Sequence, residues 1–201
     1  AYFGETDSAV PNSVNRHYTA EGQARQLELI RQMNSAFSYA LSGDDRVEAV
    51  VEAFEQGYRL QDSLRQLIDL STESEESRAL YGIDQQATSD FGQQCLLARR
   101  LLEHDVPFVQ LNRRGWDHHN RIKENLARSA GAVDKPIAGL LADLKRRGML
   151  DETLVIWGGE FGRTPRGTGG GRDHHNRGYS MWLAGGGVKG GLRHGRRFGL
   201  L

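Results

Sequence analysis

The pentapeptide Asp-His-His-Asn-Arg occurs twice in this chain, at Asp117–Arg121 and again at Asp173–Arg177. The two copies hold four of the seven histidines and place a carboxylate beside imidazoles each time. Carboxylate and imidazole are the usual protein ligands of zinc and of related divalent ions. Two such clusters in a chain of 201 residues therefore predict one polynuclear metal site that is assembled from two loops.

The repetition matters because a single copy would be weak support for a metal site. Adjacent histidines in a polar loop are more often surface residues or hydrogen-bond partners than ligands. Nearby charged residues also have more than one interpretation. Glu160 is either a ligand or a helix cap. Arg163 and Arg172 are solvated, pair with the acids, or bind a phosphate or sulfate oxygen.

Apolar spacing predicts that the first hundred residues are mainly helical, because apolar side chains recur there every three or four positions. We expect one domain, truncated at both ends, with a helical segment over residues 1–104 and a βαβ core over residues 105–201. The predicted helices of the first segment are residues 21–41, a second helix after Asp44-Asp45 with apolar residues from Val47 to Tyr58, a short helix that follows the polar stretch 71–77 and ends near Tyr81, and about 89–104.

Three short apolar runs in the second segment predict strands, at Val106–Leu111, Thr153–Trp157 and Tyr179–Ala184. A helix over about 122–147, ended by Gly148, separates the first two runs. Strand, helix and strand of these lengths predict a βαβ crossover, in which the first two strands are parallel.

Parallel strands would gather the chemical groups at one edge of the sheet, because ligand-binding loops follow the carboxyl ends of such strands. Asp117, His118 and His119 follow the first predicted strand. Glu160 and Arg163 follow the second. The second pentapeptide precedes the third strand, and we expect it to fold back over the same edge.

Composition excludes several other classes. Lys+Arg and Asp+Glu balance at 26 each, so no net field attracts nucleic acid or an anionic membrane. No apolar run reaches the length of a bilayer span. The single cysteine, Cys95, excludes an internal disulfide and leaves the compartment open. The glycine-rich stretch 167–171 lacks the Lys-Ser/Thr ending of a P-loop.

Three longer motifs carry a resemblance to a known family. They are Arg114–His119, Val155–Pro165, and Gly171–His175 with Met181–Lys189. Together they resemble the domain of unknown function 1501 family, which comprises sulfatase-like bacterial proteins placed in the alkaline phosphatase superfamily. The resemblance extends over essentially the whole chain, since residues 94–100 also look like the family's.

The resemblance implies a three-layer α/β/α, alkaline-phosphatase-like sheet that carries a metal cluster, and hydrolysis of phosphate or sulfate esters. The implied cofactor is a divalent metal, with zinc first and calcium or manganese as alternatives. The implied partner is a small anionic ester. The metal ligands implied by position are Asp117 with His119 or His118, then Glu160, then His174 with Asp173 beside it. Arg163 and Arg172 would neutralise the substrate, and whichever of His118 and His175 is not a ligand would carry a proton.

The chain departs from the superfamily pattern in ways that keep a second hypothesis open. Phe161 stands where the superfamily usually has a histidine. Cys95 and Arg99 imitate the ends of the sulfatase nucleophile motif, but the motif's proline is missing, so we interpret Cys95 as a core residue. The alternative is a non-catalytic, metal-stabilised binding or structural protein. In a third reading the histidines bind no metal and join loops by hydrogen bonds.

The resemblance also concerns a longer parent protein. We expect the nucleophile and the first metal-binding aspartate upstream of this chain, and we expect this fragment alone to be inactive. The parent is expected to be periplasmic or secreted, with its signal segment outside this chain. The oligomeric state is left open.

Overall fold

A computed structural model describes residues 2–3, 19, 21–22, 24–26, 28–30, 32–33, 67–159 and 162–195. The described residues form a mixed α/β structure with three small sheets. The chain divides into two compact units, residues 1–73 with 100–112 and residues 74–99 with 113–201. Among the described helices, none has both the length and the apolar character that crossing a bilayer requires.

The first unit contains a short parallel pair of strands, β1 (Tyr2–Phe3) and β2 (Gln110–Leu111). The described residues between 21 and 33 are helical, as predicted, and the predicted helix after Asp44-Asp45 lies outside the described residues.

A 3₁₀ helix at Leu70–Thr72 is capped by Asp69, whose side chain accepts a hydrogen bond from the Ser71 amide. Arg100 donates to the Asp69 carbonyl at 2.6 Å and thereby fixes this turn.

The second unit begins with helix α1 (Glu75–Leu80), which ends beside Tyr81 as predicted but starts inside the polar stretch 71–77 rather than after it. The Ser74 hydroxyl accepts from the amide of Ser77 at 3.1 Å. Two glutamates occupy the first turn, where a helix favours negative charge. Tyr81, at the end of α1, is completely buried.

Helix α2 (Ser89–Glu103) confirms the periodicity of its apolar residues. The apolar residues of α2 are buried, apart from the half-buried Leu102. They include Phe91, Cys95, Leu96, Ala98 and Leu101. Burial raises the pKa of the Cys95 thiol, which keeps it protonated and supports its reading as a core residue.

Helix α3 (Ile122–Arg146) also has the predicted bounds. Of the residues expected on its inner face, Val133, Leu140 and Leu144 are buried, while Ile137 and Leu141 are half-buried. Its end is a Schellman motif centred on Gly148, which has a φ of 72°. The Met149 amide donates to the Leu144 carbonyl at 2.9 Å, and the Gly148 amide donates to the Lys145 carbonyl at 3.1 Å. Gly148 is therefore the stop signal that the sequence indicates.

Strands β3 (Leu154–Gly158) and β6 (Met181–Gly185) form the longest ladder, and it is antiparallel. Their positions confirm the second and third predicted strands. The predicted parallel pairing of the first and second strands is not the one formed within the described residues, because β2 pairs with β1 and β3 pairs with β6. After β3 the chain forms a shorter antiparallel pair and then turns back. Strand β6 therefore runs opposite to β3, as an antiparallel neighbour does.

That shorter pair consists of β4 (Gly162–Arg163) and β5 (His174–His175). It carries residues that the sequence singles out, with Arg163 directly opposite His174 and Gly162 opposite His175. The β4–β5 pair, and not an edge of a parallel sheet, is therefore the scaffold of the candidate site.

A buried carboxylate joins the three helices of the second unit. Asp143 on α3 is fully buried. It accepts a hydrogen bond from the Tyr81 hydroxyl at 2.9 Å and lies 3.2 Å from the guanidinium of Arg99 on α2. Arg146 and Arg147 each donate to its other oxygen at 2.9 Å. The charge of Asp143 is therefore compensated where water is absent.

Candidate metal centre

The backbone of the first pentapeptide lies against the residues that directly precede the second one. The Arg172 amide, just before the second copy, donates to the carbonyl of His118 in the first copy at 2.9 Å. Asn120 forms an isolated antiparallel bridge with Gly170. The Ile122 amide donates to the Gly170 carbonyl at 3.2 Å, which joins the start of α3 to the glycine-rich loop. The two loops therefore meet at the N-terminus of α3.

Gly171 explains why this contact needs a glycine-rich sequence. The residue is buried, and a Cβ added to it would overlap the backbone of His119. Any other residue at this position would push the two loops apart. The glycine at position 171 is thus required by space, since it allows one backbone to approach the other closely.

Three candidate residues converge on one oxygen atom. Arg163 donates to Oδ1 of Asp117 at 2.6 Å. Nε2 of His174 lies 2.9 Å from the same oxygen, and Nε2 of His119 lies 3.0 Å from it. The rings of His119 and His174 stack with centroids 5.1 Å apart. One ligand atom from each of Asp117, His119 and His174 falls within 4.8 Å of the others.

The β4–β5 ladder positions two members of this cluster. Arg163 and His174 are direct cross-strand partners, so their side chains lie on the same face. The ladder continues through Thr164, whose amide donates to the Asp173 carbonyl at 2.9 Å and whose hydroxyl accepts from the Asp173 amide at 3.0 Å. Sequence reasoning missed Thr164, because its role depends on a pairing that local patterns do not reveal.

A second missed residue fixes the approach to the first pentapeptide. The hydroxyl of Ser129, on α3, donates to the Gly115 carbonyl at 2.8 Å. Trp116 packs edge-to-face on Trp157 of β3 at a centroid distance of 6.0 Å. These contacts hold the loop before Asp117 against the helix and the strand, and the Trp116 ring contributes to this packing.

The cluster is electrostatically biased toward an ionised carboxylate. The Asp117 side chain is 62% exposed, yet its pKa is lowered to about 2. The hydrogen bond with His174 is the main cause, followed by the hydrogen bond from Arg163. Both interactions favour the charged form of the acid. Asp117 is consequently an anion at neutral pH and needs no deprotonation to accept a cation.

This donor set suits a divalent metal with an open coordination position. One carboxylate and two imidazoles match the three protein ligands that catalytic zinc sites use, with the remaining position left for water or substrate. All three residues are exposed, so a ligand can approach from solvent. Calcium suits the set less well, because it prefers oxygen ligands throughout.

Asp173 lies next to His119, on the opposite side of the ring from Asp117. Its Oδ1 is 3.2 Å from Nδ1 of His119, which is the ring nitrogen other than the one facing Asp117. Among the described residues, the group of three potential ligands is Asp117, His119 and His174, without Asp173. Glu160, the remaining predicted ligand, lies outside the described residues.

The structure gives the other predicted catalytic residues different surroundings. His175 follows His174 on β5, and successive side chains of a strand point to opposite faces, so the two imidazoles diverge. The Nε2 atom of His118 is buried and makes no hydrogen bond within the described ranges. The guanidinium of Arg172 donates to the Gly171 carbonyl at 2.7 Å. Of the four predicted catalytic residues, Arg163 is the one whose side chain hydrogen-bonds to a potential ligand within the described part of the chain.

Comparison with known proteins assigns the chain to a family without assigning an activity. Residues 2–198 match the family described as "Protein of unknown function (DUF1501)". The chain therefore belongs to the DUF1501 family. No curated protein and no solved structure matches it.

Proposed function

We propose that this protein is a divalent-metal-dependent hydrolase of phosphate or sulfate esters. One observation carries the proposal, namely the convergence of Asp117, His119 and His174 within 4.8 Å. Arg163, on the carboxylate of that group, supplies a cation for an anionic substrate. The alkaline-phosphatase-like three-layer fold and the export of the parent protein are parts of the same proposal, and they rest on the sequence motifs.

Zinc is the metal that the donor atoms favour. Two imidazoles and one carboxylate form a nitrogen-rich set, which zinc binds well and which manganese also accepts. A metal held by these residues would polarise an ester oxygen and would lower the pKa of a water that it binds. Asp117 and the two histidines would hold that metal, and their exposure leaves room for a substrate.

Arg163 is the residue that we assign to the anionic group of the substrate. A guanidinium binds phosphate and sulfate oxygens with two parallel hydrogen bonds. It already lies within 2.6 Å of Asp117, so an ester oxygen bound to it would lie close to a metal held by that carboxylate. His175 receives no step in this mechanism because it diverges from His174 along β5.

The test is metal content, measured on the purified chain after dialysis against zinc and removal of the excess. We expect stoichiometric zinc in the wild-type protein and its loss in Asp117→Ala and His174→Ala. His175→Ala is the matched control, because it removes an imidazole from the neighbouring position and should retain the metal. Zinc content that is unchanged in both ligand variants would refute the proposal.

Substrate class is tested next on the zinc-loaded full-length parent protein with p-nitrophenyl phosphate and p-nitrophenyl sulfate. Hydrolysis of either ester should fall in Arg163→Met while zinc content is retained. Equal turnover by Arg163→Met and the wild type would remove Arg163 from the mechanism.

A second candidate function is a non-catalytic protein whose loops are joined by these same residues. The hydrogen bonds His174–Asp117 and His119–Asp173 already connect the two pentapeptides without an ion. This candidate predicts that zinc and chelators leave the unfolding temperature unchanged. The hydrolase proposal predicts that zinc raises it, because a ligand that binds only the native state stabilises that state.

A further inference from the structure

The two pentapeptides are identical in sequence but not in geometry. The first copy contributes its aspartate and its second histidine, Asp117 and His119, to the group of potential ligands. The second copy contributes its first histidine, His174, and leaves its aspartate outside that group. A repeated motif suggests equal roles for Asp117 and Asp173, whereas the contacts of the two carboxylates differ.

We infer that Asp173 is a positioning residue that orients His119, and that only Asp117 is a ligand. This inference rests on the proposed metal site. Oδ1 of Asp173 is 3.2 Å from Nδ1 of His119, while Nε2 of the same ring is 3.0 Å from Oδ1 of Asp117. The imidazole therefore lies between two carboxylates, one on each nitrogen.

The chemistry of imidazole assigns different roles to these two nitrogens. A neutral ring carries one N–H donor and one lone pair. A metal at Nε2 would take that lone pair, so the proton of the ring would lie on Nδ1, which is 3.2 Å from Oδ1 of Asp173. A carboxylate behind a ligating histidine is a common arrangement, and it fixes the ring and raises its basicity as a ligand.

Asp173 is held firmly enough for this role. Its amide donates to the Thr164 hydroxyl at 3.0 Å, and its carbonyl accepts from the Thr164 amide at 2.9 Å. Both bonds continue the β4–β5 ladder. The backbone of Asp173 is thus fixed to the strand that carries Arg163, and its carboxylate has a defined position relative to His119.

The experiment compares matched substitutions in the two copies, with the zinc affinity measured by competition with a chelating dye. Asp173→Ala should keep a stoichiometry of one zinc but bind it roughly 10- to 100-fold more weakly. Asp173→Asn should lie between Asp173→Ala and the wild type, because the amide oxygen still accepts from Nδ1. Asp117→Ala should lose stoichiometric zinc altogether.

A second measurement reads the ring of His119 directly, by ¹H–¹⁵N NMR of its tautomer in metal-free Asp117→Ala, in which Asp173 is the carboxylate that remains beside the ring. The proton on Nδ1 should dominate in this variant and lose that preference when Asp173→Ala is added. Two results would overturn the inference. One is an unchanged zinc affinity and tautomer in Asp173→Ala, and the other is a loss of zinc as complete as in Asp117→Ala, which would make Asp173 a ligand.

The metal site and the positioning role of Asp173 are tested separately by these measurements. If the wild-type protein binds no zinc, the proposed function fails, and the NMR signal still decides whether Asp173 orients His119. If zinc binds but the tautomer ignores Asp173, the metal site stands and the positioning role is wrong.

Discussion

Two aspartates of the second unit, Asp143 and Asp117, each collect several cationic or hydrogen-bonding partners, and they differ mainly in burial. The Asp143 side chain is 0% exposed and that of Asp117 is 62% exposed. An aspartate without water depends entirely on its protein partners. An aspartate in water can exchange a protein partner for a ligand. The same kind of carboxylate therefore stabilises the fold at Asp143 and is suited to binding a ligand at Asp117.

The pKa of each acid is lowered, but burial opposes this lowering more strongly at Asp143 than at Asp117. Burial on its own would raise the pKa of Asp143, and the hydrogen bonds from Arg147, Tyr81 and Arg146 outweigh it. Burial, with the negative charge of Asp143 next to it, also raises the pKa of Tyr81. For Asp117 the hydrogen bonds meet little opposition from burial. A lowered pKa alone therefore does not distinguish a structural acid from a ligand.

Asp143→Ala should have the largest effect on stability. It leaves the charge of Arg99, whose side chain is only 4% exposed, without its buried counterpart. Removing one partner of a buried ion pair typically costs about 3–5 kcal/mol. We expect a loss of this size in the free energy of unfolding, measured by urea denaturation and far-UV circular dichroism.

Asp117→Ala is the matched comparison for that measurement. Because Asp117 is exposed, its removal should change the urea midpoint of the metal-free protein little, while it abolishes zinc binding. The distinction between the two acids would be wrong if Asp117→Ala lowered the urea midpoint as much as Asp143→Ala does. It would also be wrong if Asp143→Ala left the urea midpoint unchanged.

Gly171→Ala should have the next largest effect, because the added methyl group would overlap the His119 backbone. Forcing an extra methyl group into a packed position costs about 1–3 kcal/mol. The variant should lose stability by this amount and bind zinc more weakly, since the two pentapeptides must separate. Calorimetry and dye competition measure the two effects.

Gly131→Ala is the control for this substitution. Gly131 lies within α3, and a Cβ there meets nothing within 4 Å. Alanine should stabilise the helix by about 0.5–1 kcal/mol, because glycine loses more conformational freedom when it enters a helix. If both variants changed stability in the same direction, the spatial argument for Gly171 would be wrong.

The regular elements of the second unit could be predicted largely from the sequence. The spacing of apolar residues gives the bounds of α2 and α3, and Gly148 gives the end of α3, because these signals are local. The partners of the strands could not be predicted in the same way. Pairing depends on contacts between distant residues, and the order strand, helix, strand suggested a parallel neighbour where β3 takes an antiparallel one.

The candidate site could be predicted in part. The repeated pentapeptide indicates which residue types meet, but its two identical copies cannot indicate that Asp117 and Asp173 take different positions around His119. Asp143 was missed because a single acid in a charged helix resembles a surface residue. The available signal was its position beside Leu140 and Leu144 on the apolar face of α3.

A smaller effect on stability is expected from the protonation of Asp117 at low pH. Its pKa is about 2 in the folded protein and 3.8 in the unfolded reference, so the folded state binds the proton less readily. The resulting stabilisation is fully present above pH 3.8 and is lost as the pH falls through 2. An NMR titration of the metal-free protein should give the low midpoint. His174→Ala should raise it more than Arg163→Met, since His174 is the larger cause. The reverse order would contradict this account of the site.

Arg146 provides the smallest and most direct test, because one guanidinium binds a buried and an exposed carboxylate at once. It donates to Asp143 at 2.9 Å and to Glu76 at 2.9 Å, so the two contacts have the same length. The Glu76 side chain is 81% exposed, and ion pairs in water contribute little because solvent screens them. Glu76→Ala should therefore change the free energy of unfolding by less than about 0.5 kcal/mol. A loss approaching that of Asp143→Ala would mean that the length of a contact, and not its burial, decides its contribution.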